Sequence, residues 1–292
     1  MTTMSNVGIS RPSVASLFLH LLRSGKKIGT ATGFVVEHES QRFLVTNRHV
    51  VRGTEKVPPP DLILVMQNRA GQLGAWLPAP EALYDDNGFP LWLEHPEHPE
   101  WDVVALPLKT TEGLDFYPHD PWEKAFMVVS VTDPLSIVGY PFGVTGGGFF
   151  GVFTRGFIAT EPILDWNNLP VFLIDSRTRS GQSGSPVIEF SPHGGVHHTA
   201  QGLTISGGTV EHFFGVYSAR INAQSDLGLV WKPKVIREIV EAHVRGALSA
   251  ELILDVSALD AGEFTQFEES TQSNLQVGEG EVSDVHEGHN QD

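Results

Sequence analysis

The chain has 292 residues, enough for one large domain or two modest ones, and it contains no cysteine, which excludes disulfides and thiolate metal sites. Its net charge is −16, but from residue 246 onward there are 11 acidic residues and no lysine or arginine, so the remainder carries only −5. Such a body is mildly acidic, whereas strong nucleic-acid binding needs a clustered basic surface, and no apolar run approaches the roughly 18 residues of a membrane-spanning helix, so neither nucleic acid nor membrane is an expected partner.

Residues 1–12 read as a polar N-terminal arm without the apolar core of a secretory leader, and a cytoplasmic location is expected. Short apolar runs follow at 14–22, 28–37 and 42–46, separated by the turn sequences Ser24-Gly25 and His38-Glu39-Ser40; this is hairpin chemistry. Further strands are expected at 61–67, 73–76, 91–93 and 103–106. Pro58-Pro59-Pro60, Pro78-Ala79-Pro80 and His95-Pro96-Glu97-His98-Pro99 lie between them as breaks and argue against helices there. Residues 119–134 read as a connector. A second set of strands is expected at 135–140, 151–160, 171–175, 186–190, 202–205, 213–221 and 227–231. Many short strands with turn signals between them predict an all-β chain of two packed six-stranded β-barrels, one over 13–118 and one over 135–231.

A C-terminal helix is expected within 232–246, over 233–245, because Val235, Ile236, Ile239, Val240 and Val244 recur at helical spacing between Pro233 and Gly246. Residues 250–256 are one more strand candidate. The acidic tail, 247–292, has little to bury and is expected to be disordered.

Three stretches carry chemistry. Gly181-Gln182-Ser183-Gly184-Ser185-Pro186 sets a serine in a tight glycine turn, Thr46-Asn47-Arg48-His49-Val50-Val51 sets a histidine after an apolar strand, and Trp101-Asp102-Val103-Val104 sets a carboxylate before one. A serine hydroxyl is a poor nucleophile near neutral pH; it needs a base within hydrogen-bond reach, and the base needs an acceptor to orient it. The carboxylate is the least specific of the three, since Asp61 ahead of Leu62-Ile63-Leu64-Val65 has the same local pattern. The order His, Asp, Ser differs from that of subtilisin-like and α/β-hydrolase enzymes.

These stretches, with Thr30-Ala31-Thr32-Gly33-Phe34-Val35 upstream, resemble the chymotrypsin-like (trypsin-like) serine peptidases over about residues 15–242. The absence of cysteine and the run Gly139-Tyr140-Pro141-Phe142-Gly143 are most similar to the bacterial intracellular branch. The resemblance implies a serine endopeptidase with Ser183 as nucleophile, His49 as general base then acid, and Asp102 as the group that orients the imidazole. It implies an oxyanion hole from the N–H groups of Gly181 and Ser183, no cofactor, and a protein or peptide as substrate.

Two positions depart from the family pattern. Ser185 stands where many members have glycine. Gln182 stands where secreted zymogens have an aspartate that pairs with a freshly cut N-terminus, so no activating cleavage is expected. For the residue whose carbonyl is attacked (P1), the resemblance places Arg177 at the pocket base and lines the pocket with Thr178, Ser218, Ala219 and Arg220, with Gly228 on the far wall. Inward-pointing Arg177, Thr178 and Arg220 imply an acidic or polar P1; the other orientation sends them to solvent or onto Asp175.

A catalytically silent protein-binding member of the fold is the alternative function, and an esterase using the same site a third. The histidines His193, His197 and His198, and the run Glu94 to Glu100, read as solvated loops rather than metal sites, and no metal is expected. Nothing in the sequence sets an oligomeric state.

Overall fold

The computed structural model describes residues 8–123, 128–199, 202–222 and 224–247. A one-turn helix, α1 (Pro12–Ala15), leads into a first group of strands: β1 (Ser16–Arg23), β2 (Lys26–His38), β3 (Gln41–Thr46), β4 (Leu62–Arg69), β5 (Gln72–Ala82), β6 (Val104–Pro107) and the short β7 (Leu114–Asp115), with the helix α2 (Arg48–Arg52) between β3 and β4. A second group follows: β8 (Pro134–Gly139), β9 (Val152–Ile158), β10 (Val171–Asp175), β11 (Pro186–Ser191), β12 (Gly195–Thr199), β13 (Gly202–Ser206), β14 (Val210–Arg220) and β15 (Leu227–Trp231), then the helix α3 (Pro233–Ala242).

The first group forms one antiparallel sheet in the order β5-β4-β1-β2-β3-β6, with β7 also on β4. The second closes into a six-stranded barrel, β10-β15-β14-β11-β8-β9, and β12 and β13 pair with each other as a separate ribbon. The expected all-β class therefore holds, with a closed ladder in the second half and an open hydrogen-bonded path in the first. The tight turns are where the sequence signals them: Ser24 and Gly25, and Glu39 and Ser40, all have positive φ, as hairpin loops of the twisted kind require.

The core explains why β2 and β3 each carry three consecutive apolar residues, at 34–36 and 43–45. Leu17, Leu19, Leu21, Val35, Leu44, Ile63 and Val65 fill one face of the sheet. Phe34, Val36, Phe43 and Val45 point to the other, where they meet Val216 and Trp231 of the barrel strands and Val235, Ile236, Ile239 and Val240 of α3. Strands buried on both faces need apolar residues at consecutive positions.

Several expectations shift. β5 runs through Pro78 and Pro80 instead of ending before them, because it is the outer strand of its path, where a missing N–H costs no ladder hydrogen bond. Residues 91–93 form no named strand; Leu93 makes isolated antiparallel pairings with Ala105 and with Arg245. α3 stops at Ala242, where His243 takes left-handed angles (φ 53) and returns its N–H to Ile239 O. The next residues leave the helix because extended pairing satisfies them: Glu94 N donates to Val244 O at 2.9 Å and Gly246 N to Trp92 O at 3.0 Å. β12, read from sequence as a loop, is a strand of inverted polarity, with His197 and Thr199 buried and Val196 exposed. The strand candidate at 250–256 and nearly all of the acidic tail lie outside the described residues.

Candidate active site

α2 places the histidine. It opens after Asn47, which is fully buried and donates Nδ2–H to the Asp102 carbonyl at 2.7 Å. The Asp102 carboxylate then receives two donors from His49: the backbone N–H at 2.9 Å (Oδ1), and Nδ1, which lies 2.8 Å from Oδ2 and 3.0 Å from Oδ1. A carboxylate only accepts, so Nδ1 carries the proton and Nε2 is left as an acceptor. Ser218 Oγ donates a short hydrogen bond to Asp102 Oδ2 as well. Asp61, the rival carboxylate, accepts from Ser24 N at 2.7 Å in the first hairpin turn, where it serves the turn.

A buried ionic cluster holds α2 from beneath. Glu94, 2 % exposed, accepts from Arg52 Nε at 2.7 Å, Trp92 Nε1 at 3.0 Å and Arg48 Nε at 3.2 Å. Burial alone raises the Glu94 pKa, but the Arg52 and Trp92 hydrogen bonds and the charges of Arg52 and Arg48 outweigh it and hold the carboxyl below its ordinary value. The two arginines flank His49 in sequence, so the cluster fixes both sides of its turn.

The serine sits in the loop before β11. Gly181 has φ +91, and a Cβ there would meet Tyr140 O at 2.4 Å; Gly184 has φ +82, and a Cβ there would meet Thr32 O at 2.1 Å. Only glycine fits either place. The loop is fastened to the first sheet through Thr32: its N–H donates to Ser183 O at 3.1 Å and its hydroxyl to Gly181 O at 2.7 Å. Ser180 O is taken by Phe142 N at 2.7 Å and Gln182 O by Ser185 N at 3.0 Å, while neither Gly181 N–H nor Ser183 N–H has a hydrogen-bond partner among the described residues. Gln182 is fully buried and satisfied inside the barrel, accepting from Arg179 N at 2.7 Å and donating to Thr154 Oγ1 at 2.9 Å. Ser185 is also fully buried, and its hydroxyl has no hydrogen-bond partner among the described residues.

Ser183 Oγ donates to Ser218 O at 3.3 Å. Ser218 therefore touches the serine with its carbonyl and the carboxylate with its hydroxyl, which brings Ser183, Asp102 and His49 around one residue of β14. No hydrogen bond joins Ser183 directly to His49 among the described residues. A hydroxyl, an imidazole with an unengaged nitrogen, a carboxylate bound to its other nitrogen and two unengaged N–H groups in the serine loop are the kinds of group that acyl transfer uses.

A family model, the trypsin-like peptidase domain, matches residues 31–193, more than half of the chain. The chain belongs to that family. It is thus a serine-type peptidase domain, a hydrolase, and the matched span contains His49, Asp102 and Ser183. No curated protein matches the sequence. Among solved structures it is similar to the active form of the Rv3671c protease from M. tuberculosis (19% identity, 82% of this chain, 83% of that one, TM-score 0.46). The inactive form gives 19% identity, 80% and 89% coverage and a TM-score of 0.45. The serine endoprotease from Yersinia pestis gives 14% identity, 81% and 67% coverage and a TM-score of 0.46.

Within the trypsin-like domain, the residues expected around the P1 side chain divide. The Arg177 side chain is 83% exposed and its Nε lies 3.8 Å from Asp226 Oδ2, so it stands in solvent and is not the base of a pocket. Thr178 is buried, and its hydroxyl makes a short hydrogen bond with the Tyr217 hydroxyl. Ala219 is exposed and Arg220 half-buried. His197 is buried, with Nδ1 3.3 Å from Glu189 Oε1, rather than solvated.

Sequence reasoning missed the part played by Thr32, by Asn47 and by the Ser218 hydroxyl. Thr32 and Asn47 lie in the motif stretches and Ser218 in the expected pocket lining, but only their partners across the fold reveal what they hold.

Proposed function

We propose that this chain is an endopeptidase that cleaves protein or peptide substrates through Ser183, His49 and Asp102, by way of an acyl-enzyme. His49 Nε2 takes the Ser183 proton as Oγ attacks the carbonyl carbon, and gives it to the leaving amine. Water then attacks the ester with the same histidine as base. Asp102, bound to Nδ1–H, orients the ring and stabilises the imidazolium. The N–H groups of Gly181 and Ser183 receive the developing oxyanion; loss of one such donor typically costs roughly 10²–10³ in rate. The observation that carries this reading is the paired contact of His49 N and Nδ1 with the Asp102 carboxylate, which commits Nε2 to the acceptor role. Gln182, satisfied within the barrel, supports activity without N-terminal cleavage, since no buried charge waits for a new amino terminus.

A second reading, a silent binding module, is favoured by one contact: the Ser183 hydroxyl points to Ser218 O. Rotation about a single side-chain bond redirects it, so the two readings differ in reactivity and not in fold. A tagged fluorophosphonate applied to the intact, full-length chain separates them. We expect labelling of the wild type that disappears in Ser183→Ala. A folded wild type that stays unlabelled would falsify the peptidase mechanism, and labelling only after trimming of the N-terminus would sink the claim that no cleavage is needed.

A further inference from the structure

An acyl group carried on Ser183 Oγ lies beside Ser218, because Oγ rests on the Ser218 carbonyl. There the β14–β15 ladder slips: Tyr217 faces Val230 and Arg220 faces Gly228, so Ser218 and Ala219 together oppose a single residue. The family resemblance sets the side chain of the residue being cleaved between this part of β14, the start of β15 and the loop that leads up to Ser183.

That space is occupied from within. A Cβ built on Gly228 would stand 2.4 Å from Tyr217 Cε2 and 3.1 Å from both Cζ and the hydroxyl, so the phenol ring lies directly against the Gly228 backbone. Its far end reaches Thr178 in the loop through the short hydrogen bond between the two hydroxyls. Tyr217 is 3% exposed and Thr178 1% exposed. The ring is anchored at its near end too, where Tyr217 N donates to Ser185 O at 2.9 Å and Gly184 N donates to Tyr217 O at 3.0 Å. Swinging it aside would strand two buried hydroxyls and break into the barrel core, in which Tyr217 packs with Val187 and Val230.

We infer that Tyr217, braced by Thr178 and seated on Gly228, closes the side-chain pocket next to Ser183 and restricts this peptidase to small P1 residues, chiefly Gly, Ala and Ser. This inference rests on Ser183 being the nucleophile. A long P1 side chain, whether basic, acidic or aromatic, finds a ring where a cavity would be needed. It stays in water and gains nothing from burial in the transition state. A pocket that differs by one methylene discriminates by roughly 10–200-fold. Filling it with a whole phenol excludes several such groups at once.

The experiment compares kcat/KM on quenched fluorescent peptides identical except at P1, with Ala, Val, Leu, Phe, Lys and Glu in turn. The enzymes are the wild type, Tyr217→Phe, Tyr217→Ala and Tyr217→Val, each checked for folding and for fluorophosphonate labelling. We expect the wild type to favour Ala over Phe and Lys by at least about tenfold. Tyr217→Phe keeps the ring and should keep that order, whereas Tyr217→Ala should move the preference to Leu and Phe. Should Tyr217→Ala not fold, Tyr217→Val and the wild-type profile still decide. A labelled wild type that prefers large P1 residues overturns the inference alone, as does a folded, labelled Tyr217→Ala with an unchanged profile. A wild type that does not label at all sinks the nucleophile assignment, and this inference with it.

Discussion

At the scale of single residues, the most consequential arrangement is the set of donors around the Asp102 carboxylate: His49 N, His49 Nδ1 and Ser218 Oγ. All three require an acceptor. In Asp102→Asn an amide N–H can replace one acceptor oxygen, which turns His49 to the tautomer with Nε2 protonated and unable to serve as base. The fold should survive, with little change in Tm, while kcat at neutral pH drops by about 10⁴, as removal of this charge does in enzymes of the same chemistry. Steady-state kinetics beside a thermal melt checks this; a variant with near wild-type kcat would show that the carboxylate is incidental.

Among the elements, α3 is held by burial more than by side-chain capping. Its N-cap, Lys232, makes no side-chain capping bond, and a histidine takes the left-handed position at the other end. Val235, Ile236, Ile239 and Val240 are all buried against the first sheet and the barrel. Ile239→Ala should therefore cost about 2–5 kcal/mol of stability, read as a lower urea midpoint at unchanged slope; a loss well below 1 kcal/mol would mean that the helix is not a structural part of the core. The elements also show why the strand pattern was readable at its hairpins and not at its edges. Paired turn residues such as Ser24-Gly25 act locally, so sequence places them. The passage of β5 through Pro78 and Pro80 depends on its having no strand on one side among the described residues, a fact about the sheet.

At the scale of the whole molecule, the two strand groups are joined around His119, in the segment that links them. It is 3% exposed, its ring lies edge-on to Phe34 of β2 at 5.4 Å and stacks on Phe213 of β14 at 5.2 Å, and its Nδ1 lies 3.5 Å from Glu211 Oε1. Arg11, just before α1, bonds both Glu211 and the Pro118 carbonyl in short contacts. Burial, with a further push from the Arg11 charge, holds the His119 pKa down to about 3. In the unfolded chain it lies near 6.5. The folded state thus refuses a proton that the unfolded state accepts. His119 contributes no penalty above about pH 6.5 and progressively destabilises the fold as pH falls from there toward 3. Burial also raises the Glu211 pKa, which acts in the opposite direction, since a raised carboxyl favours the fold at low pH. Denaturant midpoints measured from pH 7 to 4 should fall in the wild type and fall less in His119→Gln; identical slopes would place the acid sensitivity elsewhere.

The strand-rich class, the hairpin turns, the apolar face of α3 and the three stretches bearing Ser183, His49 and Asp102 were legible before folding, because each is written in adjacent residues or in a short period. Only folding brings the His49 donors to Asp102 and leaves Asp61 to the first hairpin turn, since both precede apolar strands and they differ solely in which donors reach them. It also turned Arg177 outward, set Tyr217 against Gly228 and Thr178, and made Thr32 the fastening of the nucleophile loop. Those outcomes depend on side chains meeting across strands far apart in the chain, and nothing in a local pattern specifies which partners long-range packing will supply.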